Sequence, residues 1–261
     1  MILLYISILI IGFIFGSFFN VLIYRLPKKE SILFPSSHCQ NCNNEIKWYD
    51  NIPILSYILL RGRCRYCKEK ISIQYPIIEF LTGIIFILII IKGGLTLFSL
   101  IYIIYFSSLL IVSVIDFKTK EINLINLIIP FVALLVGLLL YEFTDLNEEI
   151  LGAPFISLQQ ALIGSVTGGA FIFLIRFIGS RLVKREVMGE GDIYIAVLIG
   201  FALGYKLFFY SMIFAGIFGL AAFLFVPYIR KDKEIPFAPF LSMGLFVVYM
   251  LEKVFRILNL L

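Results

Sequence analysis

Long apolar runs recur along the whole chain, and they decide its environment before anything else is read. A helix needs about 20 apolar residues to cross a bilayer. Runs approaching or exceeding that length cover 2–24, 76–92, 95–115, 123–141, 157–178, 192–204, 206–228 and 237–257. With 61 % hydrophobic and only 15 % charged residues, the chain is too apolar for a water-soluble globule. The expected fold is an all-α polytopic membrane protein of about eight transmembrane helices. The sixth run is short, and Gly204-Tyr205-Lys206 offers a junction to the seventh.

Charge orients these spans. No basic residue precedes the first run and no small-residue cleavage site ends it, whereas Arg25, Lys28 and Lys29 follow it. It reads as a retained anchor with an outward N-terminus rather than a signal peptide. Threading from there puts 25–75, 116–122, 179–191 and 229–236 in the cytosol, and these loops hold 17 of the 22 Lys and Arg residues. The connection 142–156 on the other side carries Glu142, Asp145, Glu148 and Glu149 and no basic residue. The asymmetry follows the positive-inside rule with both termini outside. It also accounts for the net charge of +5, so no nucleic-acid partner is expected.

All four cysteines fall in the long polar loop, as His38-Cys39-Gln40-Asn41-Cys42 and Arg63-Cys64-Arg65-Tyr66-Cys67. Two C-x2-C knuckles can present four thiolates to one tetrahedral zinc ion. Two disulfides are the alternative, but the loop is cytosolic by charge, where thiols stay reduced. A ribbon of this size has too small a core to fold alone, so metal ligation would supply its folding free energy. His38 is a surface residue on this reading, with ligand substitution as the other option. The G-x-x-x-G spacings at Gly12/Gly16, Gly164/Gly168 and Gly200/Gly204 suit close helix packing. Tyr102, Tyr105, Tyr141 and Tyr228 are expected at the lipid or interface, and Arg176 is expected to snorkel to the headgroups.

Two acids sit at cytosol-facing span ends: Asp116 in Val114-Ile115-Asp116-Phe117 and Asp192 in Gly189-Glu190-Gly191-Asp192. A carboxylate there is costly enough to be a functional candidate. The chain has no Ser/His/Asp set and no H-E-x-x-H helix, and its single histidine abuts a cysteine. Two carboxylates can hydrolyse a peptide when one, ionised, activates water and the other, protonated, polarises the carbonyl. Brought together, they would share one proton. The plainer readings are a helix N-cap for Asp192 and an ion pair with Lys118 or Lys120 for Asp116. Gly189 and Gly191 would supply backbone conformations closed to other residues and close approach for a substrate strand. Glu190 is expected to face solvent. Glu79 has a supporting polar role, or else an ion pair with a loop lysine.

These residues stand in blocks that resemble the bacterial type IV prepilin peptidases. The likeness starts at Gly16-Ser17-Phe18-Phe19-Asn20-Val21 and Tyr24-Arg25-Leu26-Pro27, then runs through both knuckles and Trp48-Tyr49-Asp50-Asn51-Ile52-Pro53. It continues through Leu60-Arg61-Gly62-Arg63-Cys64, Tyr75-Pro76, Glu79, Asp116 and Gly189-Glu190-Gly191-Asp192 to Pro236-Phe237-Ala238-Pro239-Phe240. Two positions depart from the family pattern. Asn123 stands where a proline usually follows Ile122, and can cap the next helix instead; Tyr194 stands where a lysine is common. The resemblance implies an aspartic endopeptidase of the inner membrane with a cytosol-facing site. Its catalytic residues would be Asp116 and Asp192, and its substrate a prepilin or pseudopilin cut after a short basic leader. It also implies N-methylation of the new N-terminus with S-adenosylmethionine, the donor lying near Gly62 and the cysteine loop. Pilus or secretion assembly proteins are the possible partners besides substrate and bilayer. The expected organisation is a first span over 1–24, a cytosolic four-cysteine loop domain over 25–75, and a peptidase core over 76–261. The competing readings are a peptidase without methyl transfer, a carboxylate-dependent proton- or metal-coupled transporter, and a non-catalytic secretion scaffold.

Overall fold

A computed structural model describes residues 2–143, 156–186, 188–225 and 236–257. Seven helices in it are long and apolar enough to cross a membrane, and among the described residues there are isolated bridges but no strand. The chain divides into two compact units, Met1–Gly94 and Leu95–Leu261. Most of the acidic connection over 142–156 and of the basic one over 229–236, with Tyr228, lies outside the described residues.

In the first unit α1 (Ile2–Arg25) and α3 (Gln74–Gly93) form an antiparallel pair. Gly12 faces the backbone of Gly83, Gly16 faces that of Glu79, and Asn20 Nδ2 donates to the Tyr75 carbonyl at 3.1 Å. A Cβ on either α1 glycine would strike the α3 backbone, so the small residues set the separation of the helices. Between them the chain forms a 3₁₀ turn, Trp48–Asp50, and a one-turn helix α2 (Leu55–Leu59).

The second unit holds α4 (Leu97–Thr119), α5 (Ile125–Phe143), α6 (Leu158–Val183), α7 (Glu190–Phe225) and α8 (Ala238–Ile257). Side chains fix the helix starts. Thr96 accepts from the Ser99 amide, and Ser157 and Gln160 make a reciprocal capping box, which satisfies amides that the helix itself leaves free. Asn123 Oδ1 accepts from Ile125 N–H at 3.0 Å, the capping role expected of it. Gly164 packs on the backbone of Gly200, and Gly168 on that of Ala196.

The sixth and seventh expected spans are joined in α7, where Gly204 has φ 73° and ψ 173°. Gly168 lies against both Ala196 and the ring of Phe208, which a straight helix would hold about 18 Å apart. The chain therefore turns back at Gly204, in a conformation that suits glycine. Counting its two arms separately gives eight long helical segments among the described residues, the one-turn α2 aside.

The expectation for the aromatic residues is corrected in part. Tyr102 and Tyr105 are buried, and Tyr105 OH donates to the Leu198 carbonyl at 2.8 Å, tying α4 to α7. Tyr102 and Phe106 pack on Tyr249 of α8. Helices apolar on every side carry no polar stripe to mark the lipid face, so a tyrosine whose hydroxyl finds a carbonyl inside the bundle looks like an interface anchor in sequence.

Candidate functional site

Asp116 lies in the last turn of α4, where the left-handed Lys120 closes the helix by donating its N–H to the Asp116 carbonyl. Asp192 lies in the first turn of α7. Both are buried, and both line one cleft of about 360 Å³ together with Ile122, Gly189 and Gly191. The Gly189 amide faces the Asp192 carboxylate, the geometry of an acid reaching back to the start of its own helix. Asp192 is thus not the N-cap residue itself. The Ala238 amide faces Asp116, and Ser113, one turn earlier, donates to Ser242 at 2.9 Å, so α8 closes one side of the site. Asp116 Oδ2 is buried with no hydrogen-bond partner. An unpaired buried carboxylate oxygen is rare enough to need a reason.

The two glycines act differently from the expectation. Neither has a positive φ; among the described glycines only Gly62, Gly94 and Gly204 do. Gly191 is needed for close approach, since a Cβ there would come within 2.6 Å of the Ile122 side chain. A Cβ on Gly189 would meet nothing closer than Asp192 Oδ2 at 3.7 Å, an ordinary van der Waals contact.

Arg176 has protein partners. Its Nε donates to the Met188 carbonyl at 3.1 Å, and its terminal nitrogen pairs with Glu186 at 3.3 Å and Glu190 at 3.1 Å. It holds the segment that delivers Asp192. Glu190 is exposed, as expected, but is one arm of this clamp.

The four cysteine sulfurs converge. All are free thiols within 4.8 Å of one another, and Cys39 and Cys67 stand 3.8 Å apart. The two knuckles are near copies. Cys39 N–H donates to the Asn44 carbonyl and Cys64 N–H to that of Glu69, while Asn43 and Lys68, both left-handed, return to the carbonyls of Cys39 and Cys64. The Glu69 amide holds the Cys67 thiol down at about 7. Although the Asn44 amide favours its thiolate, desolvation and the hydrogen bonds from the other three cysteines push Cys42 up to about 11. Four sulfurs this close cannot all ionise without a cation among them, so the cluster could hold a metal ion. His38 is not part of it; its Nδ1 lies 2.9 Å from the Ser36 carbonyl. Beside the cluster Arg65 grips Asp50 with two bonds of 2.7 and 2.6 Å. That guanidinium holds the Asp50 carboxyl below the usual carboxylate range.

Two family models match the chain: the bacterial peptidase A24 N-terminal domain over residues 10–93 and the type IV leader peptidase family over 103–224. The chain is 34 % identical to a prepilin leader peptidase/N-methyltransferase of Vibrio cholerae, covering 92 % of this chain and 94 % of that one. It is 32 % identical to the protein of the same name from Bacillus subtilis over 92 % of each chain. The chain belongs to the type IV leader peptidase family. A Neisseria gonorrhoeae relative, also a prepilin leader peptidase/N-methyltransferase, is 30 % identical over 96 % of this chain and 92 % of its own length. No solved structure matches this chain.

Within this leader peptidase fold Glu79 does not pair with a lysine. Buried in α3, it accepts the Ile54 amide at 2.6 Å. Gly62 has φ +64°, and Tyr57 fills the place of its missing side chain, which gives it a backbone role. The parts that sequence reasoning did not assign are Arg176 as a clamp and the Ala238 amide. Ala238 stood inside a family block, but nothing in its side chain signals the work of its amide.

Proposed function

We propose that this multi-pass membrane protein is an aspartic endopeptidase that removes the leader from type IV prepilins or pseudopilins, with Asp116 and Asp192 as its catalytic pair. The carrying observation is the buried Asp116 oxygen, left without a partner in a cleft shared with Asp192. A water held there would lose a proton to whichever aspartate is ionised, and its oxygen would bond to the scissile carbonyl carbon. The other, protonated, aspartate hydrogen-bonds the carbonyl oxygen. Collapse breaks the C–N bond, and the amine leaves with a proton returned by the pair. The placement of both acids in terminal helix turns, rather than at mid-span, favours this over an ion-coupled transporter.

The cleft faces the cytosol of the bacterial inner membrane on this reading, on the strength of the charge asymmetry. Methylation of the new N-terminus, with S-adenosylmethionine as donor, rests on the names of the relatives, and we place it near the loop that carries Gly62. Zinc is the metal we assign to Cys39, Cys42, Cys64 and Cys67. A tetrahedron with metal–sulfur bonds of about 2.3 Å has edges of about 3.8 Å, which suits the separation of Cys39 and Cys67. When bound, zinc would supply folding free energy to the loop rather than chemistry at the peptide. Pilus or secretion assembly proteins would be its further partners.

The test is to incubate the purified protein in lipid with a synthetic prepilin and S-adenosylmethionine and to weigh the products. Leader loss with an added methyl mass is the expected result. Leader loss without it removes the second activity, and no cleavage removes the first.

A further inference from the structure

The 25–73 connection wears its apolar side chains outward. In α2, Leu55, Ile58 and Leu59 share one face at i, i+3 and i+4 and are 49, 63 and 71 % exposed, whereas Ser56 is buried with its hydroxyl on the Tyr49 carbonyl. Trp48, in the 3₁₀ turn that packs on α2, is 79 % exposed. Leu33 and Phe34 are exposed as well. A folded domain in water would present the opposite pattern.

Both patches are fastened to the ends of membrane spans. Arg25, the last residue of α1 and buried, donates to the carbonyls of Ser31, Ile32 and Pro35, which hold Leu33 and Phe34 at the helix end. Glu79 takes the amide of Ile54, whose φ of 61° and ψ of −50° bend the chain so that Leu55 N–H returns to the Pro53 carbonyl. That γ-turn is strained for a β-branched residue, and it launches α2. With 20 residues, α3 is about 30 Å long, just enough to cross the hydrocarbon. Glu79 lies about 7.5 Å along it, so Ile54 and the start of α2 are held just inside the bilayer boundary, within the roughly 5–10 Å to which interfacial helices sink. Around the patches Lys28, Lys29, Lys47, Arg61, Arg63 and Lys68 are exposed, and residues 26–73 carry eight basic against four acidic side chains.

We propose that this four-cysteine loop domain lies on the bilayer, its Leu33-Phe34 and Trp48-Leu55-Ile58-Leu59 patches set into the interface and its basic rim against anionic lipid headgroups. Tryptophan at the headgroup level, apolar side chains below it and Lys or Arg beside it are the components of an interfacial segment. The Gly62 amide on the Tyr57 carbonyl and the Ile71 amide on the Gly62 carbonyl, both at 2.8 Å, tie α2 to the second knuckle. This reading does not depend on the peptidase assignment.

Trp48 is the only tryptophan in the chain, so its fluorescence reports on this surface alone. The full protein is placed in vesicles of phosphatidylcholine, with or without phosphatidylglycerol, whose acyl chains carry bromine near the headgroup or near the methyl end. Blue-shifted emission, quenching by shallow bromine above deep, stronger quenching with phosphatidylglycerol, and protection from iodide are expected. Leu55→Ser with Ile58→Ser and Leu59→Ser should restore iodide access. Iodide access in the wild-type protein would overturn the proposal. So would protection from iodide without bromine quenching, which means protein covers the patch. Equal quenching in both lipid mixtures would overturn the role of the basic rim. The wild-type measurements decide even if the triple variant fails to fold.

Discussion

Asp116 and Asp192 occupy terminal helix turns whose backbones are already committed, so the precision of the cleft rests on small contacts around them. Gly191 is the tightest. A methyl group there meets three side-chain atoms of Ile122 at 2.6 to 2.9 Å, and the side chain or the Asp192 turn must move. Gly191→Ala should therefore lower the prepilin cleavage rate by at least about tenfold, because a misplacement near 1 Å can cost a hundredfold. Gly189→Ala should leave it near wild type, and Ile122→Gly should rescue Gly191→Ala; steady-state cleavage assays compare the three. Equal losses from both single variants would contradict this division of roles. Asp116 and Asp192, which line one cleft, stood out in sequence because charge inside apolar runs is conspicuous, whereas the ordinary φ of Gly189 and Gly191 could not be read there. The Arg176 clamp was not, since its partners Met188, Glu186 and Glu190 meet it only through the fold, and an arginine near a span end has an equally ordinary reading as a snorkelling residue.

At the level of elements, glycine spacing carries most of the packing information. The three G-x-x-x-G pairs were readable as close contacts because only small residues let helix backbones approach: Gly12 and Gly16 meet Gly83 and Glu79 in one unit, and in the other Gly164 and Gly168 meet Gly200 and Ala196, so two of the pairs pack on each other. Gly204 appears both in such a pair and as the reversal in α7, and its spacing alone could not separate these roles. Gly164→Leu is expected to destabilise the second unit by more than the ~1–3 kcal/mol usual for overpacking, since its side chain would meet the Gly200 and Gly204 backbones. A lowered midpoint in thermal unfolding of the detergent-solubilised protein is the expected readout, and an unchanged midpoint would contradict the contact. The direction in which Tyr102 and Tyr105 point was beyond sequence, because every face of their helix is apolar.

On the scale of the molecule, the two units hold different chemistry. The thiol cluster belongs entirely to the first unit, and the paired carboxylates to the second. Stripping the metal with a chelator should then remove zinc, detected by elemental analysis, and disorder the knuckles, with methyl transfer lost. Leader cleavage should persist at a comparable rate, and cleavage lost in proportion to zinc would place the metal in the hydrolytic step instead. The most direct test of the two-carboxylate reading is mass spectrometry of a prepilin co-expressed with Asp116→Asn or Asp192→Asn. Each variant should leave the leader attached, with processing reduced at least about a hundredfold, the usual size of a lost general acid or base. Mature pilin at the wild-type level from either variant would contradict it.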